Sequence, residues 1–262
     1  MTEGYSVRQI VQQSGHSKNK LFKIVNRWLK EDPPNGADDL VVHHYLIFDG
    51  TFLHQPKSIV VLMDAVTNEI FSGKYGVSEN SASQLTGFFT ALKDHGLSPI
   101  SCTLDGNRRA IKVIKLIWPD IVLQRCLVHI QRQGLVWCRQ YPKTTYAKQL
   151  RKIFVKVASI KTKEKRDEFL KSVIQWEKRY GKMVDTRAER GWVFSDIKRA
   201  RSMLLKALPD MFHYLDYPEI SSTTNGLESY FSRFKDHYRQ HRGLAKKKLY
   251  GYVKWYMYLK PK

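Results

Sequence analysis

The apolar residues of this chain change their spacing twice, and those changes bound the folds open to it. From Tyr45 three β-rich runs, Tyr45–Phe52, Lys57–Val66 and Glu69–Val77, follow one another across short polar breaks, as in an antiparallel meander. Residues 81–95 then take a helical stripe of Leu85, Phe88, Phe89 and Leu92. The run ISCTLD ends at Asp105, a helix with Ala110, Val113, Ile114 and Ile117 on one face follows, and a fifth strand is expected around Ile121–Val128. The order β-β-β-α-β-α-β predicts an α/β fold, a mixed sheet with covering helices. Past residue 131 the pattern turns helical for good. Residues 131–215 are long and basic, with Trp137, Phe154, Phe169, Trp176, Trp192 and Phe194 among the cations, and a last helical region spans 223–258.

Before the first strand, residues 6–30 read as two helices. Ser6 with Gln9 forms a capping-box pair for the first. Ser14-Gly15-His16-Ser17 breaks it, and Ser17 can cap the second. There Lys20, Lys23, Arg27 and Lys30 share one face, with Leu21, Ile24, Val25, Trp28 and Leu29 mostly opposite. A basic helix after a short turn is the form of a helix-turn-helix reader, and equally of an ordinary helical hairpin packed on a larger domain. The stretch EDPPNGADDL reads as a linker.

Charge divides the chain as sharply as periodicity does. The whole carries +21, yet residues 1–130 contribute only +2 and residues 131–262 contribute +19. Such asymmetry points to a polyanion, nucleic acid ahead of a membrane surface, with a merely solvated basic face as the bland alternative. No apolar run approaches the roughly 20 residues of a membrane span. MTEGYSVRQI has no signal-peptide core, and three cysteines do not make a disulfide framework. The expected setting is cytoplasmic.

Three carboxylates stand out by position. Asp49 lies in YLIFDGTFL and Asp105 in ISCTLDGNRR, each after an apolar run and before a glycine. Glu228 lies at the edge of a stripe formed by Leu227, Tyr230, Phe231, Phe234 and Tyr238. Taken singly, a strand-end Asp-Gly is also a common turn, and a helix-edge Glu is commonly solvated. Acids at adjacent strand ends can converge, and converging carboxylates need hard divalent cations to offset their repulsion. Two Mg²⁺ ions so held could activate a water or a 3′-hydroxyl for phosphoryl transfer.

The run LDGNRRAIKVIKLIWPDIVLQRCLVHIQRQ, residues 104–133, resembles the centre of the bacterial relatives of Mutator-type DDE transposases. Asp105-Gly106, Pro119, Gln124-Arg125-Cys126, His129 and Arg132 stand in that family's order. TTNGLES at 223–229 resembles its third-acid motif, Thr-Asn-x-x-Glu, and FDGTF at 48–52 its first. The resemblance covers roughly residues 45–240. It implies an RNase H-like catalytic core interrupted by an all-α insertion, with Asp49, Asp105 and Glu228 as metal ligands. It further implies two Mg²⁺ (or Mn²⁺) ions and a reaction that cuts transposon ends and transfers them into target DNA. Transposases commonly bridge two DNA ends, so a homodimer or higher multimer is expected, associated with the bacterial nucleoid. His129 is placed by the resemblance near the pocket, against the scissile phosphate or a metal-bound water.

On this reading residues 1–31 are a partial helix-turn-helix segment and 32–40 a linker. Residues 41–130 are the first part of the core, 131–221 the basic insertion and 222–262 the core's C-terminal helices. Candidate DNA contacts are Lys20, Lys23 and Arg27, then Arg125, Arg132 and Arg139, then Lys246, Lys247 and Lys248. Tyr250, Tyr252, Trp255, Tyr256 and Tyr258 are expected to pack rather than stack on bases. Cys126 and His129 lack the second ligand pair a structural zinc needs. Asp64 reads as a turn residue. Family members usually carry a longer DNA-binding region before the core, which leaves a truncated, non-catalytic regulator as one alternative. Another RNase H-like nuclease, such as a resolvase, is the second.

Overall fold

The structure, a computed structural model, describes every residue except 1–2, 35–39, 55–56, 187–191 and 242. The side chains of residues 54, 57 and 192–195 are also outside it, so part of the expected linker and the packing of Trp192 and Phe194 lie outside the described residues. In chain order, α1 (Val7–Ser14) and α2 (Lys18–Trp28) precede β1 (Tyr45–His54), β2 (Lys57–Asp64) and β3 (Ile70–Val77). Then come α3 (Ala82–Asp94), β4 (Ser101–Leu104), α4 (Arg108–Ile117) and β5 (Val122–Arg125). The helices α5 (Leu127–Cys138), α6 (Thr145–Lys156), α7 (Lys163–Trp176), α8 (Lys182–Thr186) and α9 (Trp192–Ala207) follow. The chain closes with α10 (Asn225–Arg239) and α11 (Leu249–Leu259). The result is a mixed α/β fold whose five-stranded sheet has the order β3-β2-β1-β4-β5.

Two compact units divide the chain. The first comprises Met1–Ile100, Asn107–Ile121 and Asn225–Lys262. Its β1, β2 and β3 form an antiparallel meander, with Ile47 opposite Met63, Asp49 opposite Val61 and Thr51 opposite Ile59. Alternation sends Ile47, Ile59, Val61 and Met63 to one face, where α10 contributes Leu227, Tyr230, Phe231 and Phe234 and α11 contributes Tyr252 and Tyr256. Each such fully buried side chain is worth about 1.5–3 kcal/mol of transfer free energy. On the other face Phe48 meets Phe89 of α3, which in turn meets Trp118 just after α4. The stripes expected in α4 and α10 are the residues those helices bury.

The N-terminal pair begins as expected. Gln9 N–H donates to Ser6 Oγ, Ser6 N–H donates to Gln9 Oε1, and Ser17 caps α2. The expected buried face of α2 does not form: none of its residues is buried, and Ile24 and Trp28 are 40% and 50% exposed. Two short helices hold too little apolar surface to build a core. They attach instead through the end of α2, where the Trp28 ring meets Trp255 of α11 edge-on and a Cβ on Gly251 would lie 2.1 Å from Leu29 O.

The second unit comprises Ser101–Gly106 and Val122–Thr224. Here β4 and β5 pair in parallel, Ser101 to Val122 through Leu104 to Arg125. The fifth strand is shorter than its expected span, because Cys126 caps a helix that starts at Leu127. Leu127, Ile130, Gly134 and Cys138 recur at three- and four-residue steps, a helical period that continues the apolar run beyond the strand. Phe154, Phe169, Val173, Trp176, Ala200 and Leu204 knit α5, α6, α7 and α9 into one core. Trp176 Nε1–H donates to Tyr146 O at 2.9 Å. After α7 the helix widens into a π-helical turn, Glu177–Gly181, braced by Arg201, which pairs with both Glu177 and Asp185.

Candidate active site and nucleic-acid-facing residues

The first unit holds Asp49 and Glu228. Asp49 is half-buried in the interior of β1, not at a turn, because the strand continues to His54. Its Oδ1 accepts the Gly50 N–H at 2.8 Å. Gly50 has no room for a side chain: a Cβ there would lie 2.1 Å from Glu79 Oε1, so a further carboxylate packs against the residue after Asp49. Glu79 escapes sequence reasoning because it follows β3, and only strand register brings it to β1. Glu228 is half-buried in the first turn of α10. There the helix dipole favours an anion by about 0.3–1 kcal/mol.

The second unit holds Asp105, Arg125, Cys126 and His129. Asp105 directly follows β4 and is half-buried. Arg125, at the end of β5, is 9% exposed, and its Nε is buried without a hydrogen-bond partner among the described residues. A Cβ on Gly106 would lie 2.5 Å from Arg125 Nη2, so the guanidinium fills the space that glycine leaves. Burial lowers the Arg125 pKa, while the charges of Asp105 and Asp210 oppose that shift. This arginine therefore sits inside, where it feels the charges of Asp105 and Asp210, rather than on an outer surface facing solvent.

The rest of the Gln-Arg-Cys-x-x-His stretch ties the second unit together. Gln124 is fully buried and donates from Nε2 to Met211 O at 2.8 Å. Thr224, also fully buried, donates from its N–H and its hydroxyl to Cys126 Sγ. The Thr224 hydroxyl also lies 3.3 Å from His129 Nδ1. Burial alone would raise the Cys126 pKa, but the hydrogen bonds of His129 and Thr224 outweigh it and hold the thiol below its usual value. Thr103 Oγ1–H donates to Ser221 O at 2.7 Å and Leu127 N–H to Ser222 O at 3.0 Å. Residues 221–224, which lead into α10, are thus laced along their length to β4 and to the start of α5. Spacing shows none of this, since the partners lie about a hundred residues apart.

A comparison over the middle of the chain decides the family. The family model described as "Transposase, Mutator family" matches residues 59–208, more than half of the chain. The chain belongs to the Mutator family of transposases. No curated protein sequence matches it. A Mutator-family transposase has DNA as its partner, and among the described residues no helix is long and apolar enough to cross a membrane.

In this transposase Lys20, Lys23, Arg27, Arg132, Lys246 and Lys247 are exposed. Arg139 is exposed and pairs with Asp196 at 3.6 Å, while Lys248 is half-buried and donates to Asn26. Tyr252 and Tyr256 pack in the core, whereas Tyr250 and Tyr258 are more than 40% exposed. Asp64 is the last residue of β2 rather than part of the turn, which it braces: its carboxylate accepts the N–H groups of Val66 and Thr67 and meets His43 Nδ1 at 2.8 Å. Carboxylate oxygens are the donors that Mg²⁺ and Mn²⁺ prefer. Among the described residues, however, no three His, Cys, Asp or Glu side chains stand together as a ready metal group.

Proposed function

We propose that this transposase cuts DNA at element ends and joins the freed 3′-hydroxyl to target DNA through a three-acid site on an RNase H-like core. The match over residues 59–208 carries the reading, because it encloses Asp105 and the Gln-Arg-Cys-x-x-His stretch. The element order β-β-β-α-β-α-β, then a helical block, then α10, supports the same core. Asp49, Asp105 and Glu228 would hold two Mg²⁺ or Mn²⁺ ions. Their donor chemistry fits such ions, which when bound supply Lewis-acid activation of an attacking oxygen and stabilise the leaving one.

The chain's own groups have distinct tasks in this scheme. The Gly50 N–H fixes one oxygen of Asp49. The buried charge of Arg125 would favour the ionised form of Asp105 from inside the second unit. Cys126, Thr224 and His129 anchor the segment that enters α10, four residues before Glu228. His129 would meet the scissile phosphate or its attacking water. Lys20, Lys23 and Arg27 on the helix-turn-helix-like pair, with Arg132, Arg139, Lys246, Lys247 and Lys248, would neutralise DNA phosphates. One phosphodiester replaces another, so no covalent protein intermediate is needed. The protein would work as a homodimer or higher multimer holding two ends on nucleoid DNA.

The test is Mg²⁺- or Mn²⁺-dependent nicking and joining of DNA that carries the inverted repeats flanking the gene. Intact protein is compared with Asp105→Asn and Glu228→Gln. Loss of both steps with DNA binding retained is expected. Cutting that survives both substitutions would remove the three acids from the mechanism. Cutting without joining would instead favour an RNase H-like nuclease.

A further inference from the structure

The second unit has a cavity of about 260 Å³ between α6 and α7. Lys152 and Lys156 line it from α6 and Arg179 from the π-helical turn. All three are exposed, and none pairs with a carboxylate among the described residues. Among the described residues no acid lines the cavity. Its walls include Ser172, whose hydroxyl donates to Glu168 O at 2.9 Å and can accept, and its floor includes Phe169 and Trp176, both almost fully buried.

Some cations elsewhere in this unit are paired with acids: Lys163 with Asp216, Arg166 with Asp167, Arg199 with Asp196, and Arg201 with Glu177 and Asp185. What sets the cavity apart is that Lys152, Lys156 and Arg179 line one concave site. Lys152 and Lys156 are four residues apart on one helix, an arrangement in which like charges repel unless something offsets them. The π-helical turn puts an extra residue into the helix beside the cavity, and such turns recur at functional sites. Gly181 leaves room in that turn for the Glu177 carboxylate, since a Cβ there would lie 2.1 Å from Glu177 Oε1, and Glu177 is itself fixed by Arg201.

An anion would offset the three charges, and an apolar floor beneath them suits a group with a hydrophobic body. The DNA backbone has both parts, a phosphate and a deoxyribose. We propose that the α6–α7 cavity is a backbone-docking site for DNA, seating phosphodiester and sugar without reading bases. The inference rests on DNA being this transposase's partner, and it assigns contacts to residues that the three-acid scheme does not use.

The experiment measures binding of a labelled duplex by fluorescence anisotropy over a range of salt concentrations, in the absence of divalent metal. Intact protein is compared with a Lys152→Gln/Lys156→Gln/Arg179→Gln variant. A charge-matched control carries Lys161→Gln/Lys165→Gln/Lys206→Gln, exposed positions on the same unit that do not line the cavity. Each phosphate contact adds about 0.9 to the slope of log affinity against log salt. The cavity variant should therefore lose about 2 to 3 from the slope and bind at least about tenfold more weakly in 0.1 M salt, for any DNA sequence. The control should keep most of the slope, and the melting temperatures of all three proteins should agree. Bound duplex should also shield Lys152 and Lys156 from amine acylation. Equal effects in both variants, or none in either, would overturn the site. If intact protein shows no salt-dependent DNA binding, the transposase's DNA reading fails and the site fails with it.

Discussion

Gly134 lies in the middle of α5 against α6, and replacing it with alanine sets two effects of known size against each other. In an exposed helix the change would stabilise by about 1 kcal/mol, through backbone entropy and helix propensity. Here the new Cβ would lie 2.2 Å from Phe154 Cδ1, 2.3 Å from Cε1 and 2.4 Å from Cγ. Carbon atoms pack at roughly 3.5–4.0 Å, so ring or helix must move by more than about 1 Å. Phe154 is fully buried in the helical core and has no solvent-facing space to enter. Overpacking of this kind costs about 1–3 kcal/mol, and the required shift belongs at the upper end. The expected net is a loss of about 1–2 kcal/mol from the second unit.

Urea unfolding followed by tryptophan fluorescence would read it, since Trp137 and Trp176 both belong to that core. Phe154→Leu should recover part of the loss in the Gly134→Ala background. The double-mutant cycle should then show coupling of at least about 0.5 kcal/mol. An alanine variant that gains stability, or a cycle that is additive, would refute the packing argument.

Three further outcomes are expected. Gly106→Ala crowds only the far end of a flexible side chain, Arg125 Nη2, so the fold should hold to within about 1 kcal/mol; under the three-acid scheme nicking should fall at least tenfold, and Arg125→Lys should fail to restore it. Burial would raise the Asp64 carboxyl, but its hydrogen bonds with His43, Thr67 and Val66 outweigh that and hold it below the usual aspartate range. Its contribution to stability is thus present above the unfolded-state pKa and lost as pH falls through the lower folded value, so acid unfolding below about pH 4 should be steeper in the intact protein than in Asp64→Asn. Cys102, Cys126 and Cys138 are all buried, and burial pushes the Cys138 thiol up to about 12; a thiol reagent should titrate none of them in the native protein and all three after denaturation, and rapid native labelling would contradict the burial.

Sequence carried the parts of this fold that depend on local spacing. The stripes of α4 and α10, the Ser6–Gln9 capping box and the strand-helix alternation all repeat at short range, where period alone decides the face. It carried much less of what depends on tertiary register. Arg125 reads as a phosphate clamp because a positive charge in a basic protein has no direction until burial gives it one. Glu79 becomes a neighbour of Gly50 only once strands are paired. The Gln-Arg-Cys-x-x-His stretch is legible as a motif, but its division into a strand end, a helix cap and an anchor for Thr224 is not. The apolar face of α2 is real in sequence, yet among the described residues it is covered only in part, mostly at its end.

The lacing of residues 221–224 also constrains the order in which the chain can fold. Thr103 reaches Ser221 across 118 positions and Cys126 reaches Thr224 across 98. Closing a flexible loop costs entropy that grows only with the logarithm of its length, but the segment must still be found. If α5 to α9 collapse first, they bring the two ends near each other and shorten that search. During synthesis β4 and β5 leave the ribosome about a hundred residues before their partners exist, so the second unit gains its final hydrogen bonds last. Insertions within the helical block should therefore slow its folding more than they weaken it.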